Sequence, residues 1–282
     1  MERAISGSGQ GAEAHRVSAV IPTCNRRQEV ARAIASALRQ TWPLHEIVVV
    51  DDGSTDGTWD DLQALAAAGY AARLVSFRQP NAGPSAARNA GVRLATGQFI
   101  AFLDSDDLWH DDKIARQLAV FDAHPDVALV GCAEQNNMRV FPGRRIVPIG
   151  VDQLLFRNYF LTAGVIVRRE VLAGTAGFAE EMRRCEDYDM WLRIASSNRC
   201  VLLNEDLMVY GAGKRGFGEG GLTADLWAMQ LGELEAFRRW RARGGPAGKY
   251  LRALVILWLR FARRVAIAAL DSLRSLSRSN AG

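Results

Sequence analysis

Along the first hundred residues, short runs of apolar and β-branched side chains recur at 17–21, 47–50, 74–77 and 99–103. Each is of strand length and ends in a polar turn. Between them apolar residues fall at helical spacing, as at Val30, Ile34, Ala37 and Leu38. Strands alternating with helices predict an α/β domain with a mostly parallel central sheet flanked by helices. Further on the pattern weakens. Periodicity is poor over 131–148, where Pro142-Gly143 marks a turn, and the boundary between two functional halves is expected there. Residues 161–167 read as another strand and 187–195 as a helix. A glycine-rich stretch over 211–221 surrounds Lys214 and Arg215, which predicts a mobile loop.

In parallel sheets ligands gather at the carboxyl ends of the strands, so the polar residues just after each run are the ones to weigh. After the first run stand Pro22-Thr23-Cys24-Asn25-Arg26, after the second Asp51-Asp52-Gly53-Ser54-Thr55-Asp56-Gly57, and after the fourth Asp104-Ser105-Asp106-Asp107. Carboxylates crowded at one sheet edge repel unless a cation or hydrogen-bond donors compensate them. Asp56 equally suits an Asx turn or N-cap for a helix starting near Thr58. Mg2+ or Mn2+ takes oxygen ligands, typically one or two carboxylates completed by phosphate oxygens and water. An Asp-X-Asp turn at a strand end can provide them, chiefly through Asp106. A lone Asp-X-Asp is weak evidence; its place after an apolar run strengthens it.

The chain has 282 residues and a net charge of +4, with 49% hydrophobic and 23% charged residues, the composition of an ordinary globular protein. Cys24, Cys132, Cys185 and Cys200 lie far apart with no C-x-x-C pair, so neither a disulfide framework nor a zinc site is expected, and reduced thiols in a cytoplasmic protein fit best. Residues 1–16, rich in Gly, Ser and Ala, lack the apolar core of a signal peptide and are expected to be disordered. The positive charge is concentrated at the other end. From Phe237 onward there are eleven Lys or Arg against the single acid Asp271.

Taken together, Ser18 to Arg26, Glu46 to Gly57, Asn81-Ala82-Gly83-Pro84-Ser85-Ala86-Ala87-Arg88-Asn89-Ala90-Gly91, Phe102 to Asp107 and Glu186-Asp187-Tyr188-Asp189-Met190-Trp191-Leu192-Arg193 closely resemble glycosyltransferase family 2, in the family's order. The resemblance covers roughly residues 17–210. It implies the A-type glycosyltransferase fold, with a nucleotide-binding half over 17–107 and an acceptor half over 108–210. It also implies an inverting, metal-dependent hexosyl transfer from a nucleoside-diphosphate sugar of the UDP or GDP type to a saccharide hydroxyl. By the resemblance Pro22, Thr23 and Asn25 line the base pocket, Asp52 reads the base edge, Arg88 lies close to the nucleotide, Asp104 is near the ribose and Asp106 binds Mg2+ or Mn2+, with Asp104 beside it. Glu186 and Asp187 match the acidic pair near the acceptor, Asp187 being the general base. Without the resemblance, Asp187 would read as a helix N-terminal acid favoured by the macrodipole. Trp191 suits either the core or a sugar ring.

Two departures stand out. Cys24 occupies a position often aromatic in the family, and the segment after Tyr210 lacks the usual arginine-histidine pattern. Residues 211–236 are therefore expected to form a lid, with Lys214 or Arg215 approaching the diphosphate, followed by a helix. The remainder, 237–282, reads as a basic amphipathic helical tail: Leu251, Leu254, Val255, Trp258, Phe261, Ala262 and Val265 share one face, and Arg252, Arg260, Arg263 and Arg264 the other. Arginines interrupt every apolar run, so a spanning helix is not expected. The tail suits the anionic inner face of the cytoplasmic membrane, which would bring the site to a lipid-linked saccharide in cell-envelope polysaccharide assembly. Docking on its own domain or on a second subunit, as in a homodimer, is the competing arrangement. Nucleic acid is not an expected partner, for no binding motif accompanies the charge. Two other functions compete: sugar nucleotidyl transfer, disfavoured by the missing glycine-rich, lysine-bearing loop, and a catalytically silent sugar-nucleotide-binding scaffold.

Overall fold

The computed structural model describes residues 15–69, 72–134, 141–213 and 225–279. The first half runs β1 (Val17–Thr23), α1 (Arg27–Leu38), β2 (Glu46–Asp52), α2 (Thr58–Ala67), β3 (Arg73–Gln79), α3 (Pro84–Leu94) and β4 (Phe99–Phe102). It continues with β5 (Leu108–Trp109), α4 (Lys113–Ala123), β6 (Val127–Ala133), β7 (Ile146–Pro148), α5 (Val151–Phe156), a 3-10 turn at Thr162–Gly164, β8 (Ile166–Arg168) and α6 (Arg169–Ala173). Then follow α7 (Glu186–Ala195), β9 (Arg199–Asp206), β10 (Met208–Val209), a second 3-10 turn at Tyr210–Gly213, α8 (Leu226–Ala242) and α9 (Ala247–Ser279).

Eight strands form one sheet in the order β3-β2-β1-β4-β8-β6-β9-β7, and β5 pairs separately with β10. Strands β3, β2, β1 and β4 are parallel, as are β6 and β9, while β8 runs antiparallel between β4 and β6. The two expected halves are thus joined edge to edge in a single sheet. Both faces are covered, which is why β1 and β2 read as unbroken apolar runs rather than alternating ones. Val20, Val48, Val50, Ile100 and Phe102 face one core layer with α3, α7 and α8; Ala19, Ile21, Ile47, Val49 and Ala101 face the other with α1 and α4. Because β1, β2 and β4 are parallel, with Thr23 opposite Asp51 and Val20 opposite Phe102, their polar exits share one edge.

Three expectations are corrected. Residues 161–167 do not form one strand: Gly164 N–H donates to Leu161 O at 2.9 Å, closing the 3-10 turn, and β8 begins only at Ile166. The N-terminal tail cannot reach residue 16, since Arg16 O accepts the N–H of Phe99 at 3.1 Å and His15 packs edge-on to the Phe99 ring; residues 1–14 lie outside the described residues. A boundary at 237 falls inside α8, whose Ala236, Phe237 and Trp240 are buried in the main core, with Phe237 edge-on to Tyr188 at 5.6 Å. Helix α9 joins that core by one face only. Its Ala253 and Leu257 are buried against the domain, and Lys249 pairs with Asp152 at 2.9 Å while Arg260 and Arg264 both pair with Glu233 at 3.0 Å.

Candidate active site

The exits of β1 and β2 are laced together. Asn25 sits in the left-handed region at φ 51°, a conformation asparagine tolerates better than most residues. Its Oδ1 accepts the N–H of Thr55 at 2.8 Å, and its own N–H donates to Ser54 Oγ at 2.8 Å. Pro22 continues β1 opposite Val50, and Thr23 is buried with its hydroxyl unpartnered. Asp52 is also nearly buried. Its Oδ1 accepts from Gln79 Nε2 at 2.8 Å and Ala82 N–H at 2.9 Å, its Oδ2 from Gly83 N–H at 2.8 Å. Asp52 therefore shapes the turn into α3, and only the remaining lone pair of Oδ2 is left for a base edge. Cys24 is half-buried; burial and the nearby Asp52 raise its thiol above the ordinary range.

At the exit of β4, Asp104, Asp106 and Asp107 point to three different partners. The buried Arg88 of α3 donates to Asp104 Oδ1 at 2.7 Å and, through its other terminal nitrogen, to Glu186 Oε1 at 2.8 Å. Expected close to the nucleotide, this guanidinium bridges Asp104 at the exit of β4 to Glu186 at the start of α7, and the two carboxylates hold it firmly charged. Asp106 pairs with Arg26 at 2.5 Å, both side chains about 40% exposed. Asp107 is buried and accepts the N–H of Gly211 at 2.6 Å; burial and Asp104 push it well above the usual carboxylate range. It thereby fastens the 3-10 turn that leads into 214–224. Lys214 and Arg215 lie outside the described residues.

Among the described residues no group of three or more His, Cys, Asp or Glu could hold a metal ion. Asp104 and Asp106 fit the smaller protein share of an Mg2+ or Mn2+ site: each keeps one carboxylate oxygen outside its arginine pair, and the phosphate oxygens of a nucleotide would complete such a site.

Glu186 and Asp187 open α7. Cys185 precedes them at φ 59°, so the chain turns sharply before Glu186. Asp187 is half-buried. Its Oδ1 accepts the N–H of Tyr188 at 2.7 Å, and its Oδ2 faces Asn158 Nδ2 and Thr162 Oγ1, each at 3.4 Å. Burial, reinforced by Glu186 and opposed by Arg88, pushes its carboxyl up to about 7. A carboxylate poised there can take a proton at neutral pH and release it again. Trp191 needs correcting: it is 0% exposed, wedged between Phe102 and Phe178 at 6.3 and 6.1 Å, and belongs to the core rather than to a sugar-stacking surface. Three residues escaped the sequence reading. Asn158 comes to Asp187 on the loop after α5 and Thr162 on the 3-10 turn that follows, and Arg26 reaches Asp106 across the sheet edge; no local pattern announces such tertiary contacts. A cleft of about 910 Å³ elsewhere on the surface is lined by Thr175, Glu180, Arg193, Arg239 and Arg243 and contains none of these residues.

A mostly parallel sheet flanked by helices, with the polar exits of β1, β2 and β4 gathered at one edge and α7 facing them, is the architecture of the A-type glycosyltransferase fold. The family model for glycosyl transferase family 2 matches residues 18–176, and the chain belongs to that family. It is 28% identical over 190 residues to the Escherichia coli UDP-Glc:alpha-D-GlcNAc-diphosphoundecaprenol beta-1,3-glucosyltransferase WfgD, covering 67% of this chain and 73% of that one. An uncharacterized glycosyltransferase of Rickettsia felis is 32% identical over 199 residues, covering 68% of this chain, which spans about a third of that relative's length, 32%. Among solved structures, the mannosyltransferase PcManGT from Pyrobaculum calidifontis, in complex with GDP-Man and Mn2+, superposes with a TM-score of 0.68 at 24% identity over 93% of this chain and 75% of that one. S. aureus TarS 1–349 in complex with UDP-GlcNAc gives 0.65 at 22% identity over 86% and 70%. These two likenesses establish the fold.

Proposed function

We propose that this protein transfers a hexosyl unit, with inversion, from a UDP- or GDP-sugar to a saccharide hydroxyl, the acceptor being lipid-linked and the site facing the inner surface of the cytoplasmic membrane. The observation that carries the reading is the Asp104–Arg88–Glu186 bridge, which sets the near-neutral Asp187 beside the donor carboxylates. The nucleoside is held against Pro22, Thr23 and Asn25, with Asp52 at the base edge. When bound at Asp104 and Asp106, a divalent cation supplies charge neutralisation for the departing diphosphate. Asp187 accepts the proton of the acceptor hydroxyl as its oxygen bonds to the anomeric carbon from the face opposite the phosphate. The bond from that carbon to the diphosphate breaks, and the nucleoside diphosphate leaves with the electron pair. One displacement gives inversion and needs one base. Asn158 and Thr162 orient the carboxylate, and Arg88 pairs with the neighbouring Glu186.

The lipid-linked acceptor and the place in cell-envelope polysaccharide assembly draw support from the Escherichia coli relative, whose name gives a diphosphoundecaprenol-linked acceptor. The test is release of nucleoside diphosphate from a panel of UDP-, GDP- and dTDP-sugars with Mg2+ or Mn2+ and bacterial lipid extract. Acceptor-dependent release, lost in Asp106→Ala and Asp187→Asn, is the expected result. Nucleotide binding without release under any condition would favour a silent binding protein.

A further inference from the structure

Helix α9 is docked with its cations inward and its oily side outward. Lys249 and Arg252 meet Asp152, and Arg260 and Arg264 meet Glu233, while Arg260 also donates to Phe156 O at 2.7 Å. These contacts, with buried Ala253 and Leu257, fix the rotation of the helix about its axis. The face left outside carries Leu251, Val255 and Leu259, exposed by 61, 60 and 66%, and Trp258, Ala262 and Val265 beside them. At helical spacing these six span one continuous stripe. From α8, Trp227 and Leu231 extend it sideways, Trp227 packing against Trp258 and Phe261 with ring centroids 6.2 and 5.2 Å apart. An apolar surface built from two helices is more than scattered exposure, and water is a poor solvent for it.

We propose that this two-helix face seats in the headgroup and upper acyl layer of an anionic bilayer, α9 lying in the membrane plane. A crossing is ruled out for the described helices, none of which is long and apolar enough. Charge decides between lipid and a second copy of the chain. Arg263 is exposed along one edge of the stripe, beside an Arg252 that is exposed too although it reaches Asp152, and α9 has no acid before Asp271. A second copy laid on this face would bring arginine edges together with no acid of α9 to neutralise them. Anionic headgroups complement those edges, and Trp at the boundary is at home there.

The seating also has a bearing on the acceptor, a part that rests on the transfer reading above. Between α5 and α9 a crevice of about 360 Å³ is lined by Leu155, Phe156, Tyr159, Ala253 and Ile256. Phe156, 52% exposed, ends α5 only two residues before Asn158, which faces Asp187. The membrane face therefore adjoins the loop that orients the base, so a lipid-held saccharide reaches Asp187 from the bilayer side.

The test uses the full chain with no nucleotide sugar, so it stands or falls independently of catalysis. Co-sedimentation is measured with vesicles of phosphatidylcholine alone and of phosphatidylcholine with about one-third phosphatidylglycerol, for the parent and for Val255→Glu/Leu259→Glu. Both positions point to solvent, and circular dichroism checks that the fold is kept. The expected result is binding to the anionic vesicles, at least tenfold weaker on phosphatidylcholine alone and at least tenfold weaker for the variant. No binding, equal binding to the two vesicle types, or a variant that binds like its parent overturns the proposal. So does a lipid-free dimer that the same variant converts to monomer, which would assign the face to a second copy.

Discussion

Asp187 is where the chemistry becomes measurable. Its carboxyl, pushed up to about 7 mainly by burial, is competent as a base only when ionised. Transfer is therefore expected to rise through an acid limb centred near pH 7 and to fall about tenfold per unit below pH 6. Asp187→Asn keeps the size and removes the proton acceptor, so kcat should drop by roughly 10²- to 10⁴-fold with donor binding retained, as seen by titration with the nucleoside diphosphate. Arg88 acts on the same carboxylate from the donor side, since its charge opposes the upward shift. In Arg88→Lys the charge stays and the limb should hardly move. In Arg88→Gln it should move to higher pH, and the fold should lose about 3–5 kcal/mol because the carboxylates of Glu186 and Asp104 lose their partner. A pH profile of kcat for the two variants separates charge from packing. Motif spacing made Asp187 and Arg88 legible, because both stand in runs of recognisable order. The bridge from Arg88 to Glu186 was not legible: residues 98 positions apart meet only after α3 and α7 have packed on the same face of the sheet.

Burial alone did not decide which elements were legible, for the partly exposed β3 was read at 74–77 while β6, buried at every position, was not. Strands β1, β2 and β4 are buried at every position and read as apolar runs. By contrast β7, β8 and β10, of three, three and two residues, are too short to carry a period, and their place is set by partners distant in sequence. Helix α8 shows the same limit, since its weak periodicity hid Phe237 and Trp240, which the core claims through α7. Gly91 marks the tightest approach between elements near the site. A methyl group there would lie 2.4 Å from Val20 Cγ1 and 3.5 Å from Val50 Cγ2, so α3 can rest on β1 and β2 only because that methyl is missing. Gly91→Ala is expected to cost about 1–3 kcal/mol by overpacking and to lift α3, three residues after Arg88. Adding Val20→Ala should recover part of the loss. Urea denaturation of the two single variants and the double variant checks this, a coupling energy near zero being the contrary result.

For the molecule as a whole, the informative group is a buried lysine that pairs with an amide and an indole rather than with an acid among the described residues. Lys113 is fully buried at the start of α4, donating to Gln117 Oε1 at 2.7 Å with its ammonium 4.4 Å above the Trp109 ring. Gln117 Nε2 in turn donates to Val130 O and Gly164 O, and Trp109 Nε1 to Ala163 O. This knot joins α4, β5, β6 and the turn that carries Thr162 toward Asp187. Burial lowers the lysine to about 8, against 10.5 in the unfolded chain. Between those values the unfolded state binds more protons, so this group's contribution to stability should rise with pH, and the cost of keeping it charged should be greatest below pH 8. That cost is on the order of 3 kcal/mol at neutral pH before the indole and Gln117 contacts offset it. Cys132 pulls the other way: burial raises its thiol to about 11, and its contribution is lost as pH rises from 9 to 11. The comparison must therefore be between Lys113→Met and its parent at each pH. The variant is expected to be the more stable at pH 7, with the advantage shrinking steadily toward pH 10. If the difference between the two melts stays constant from pH 7 to 10, Lys113 keeps its ordinary protonation and the knot is held by packing alone.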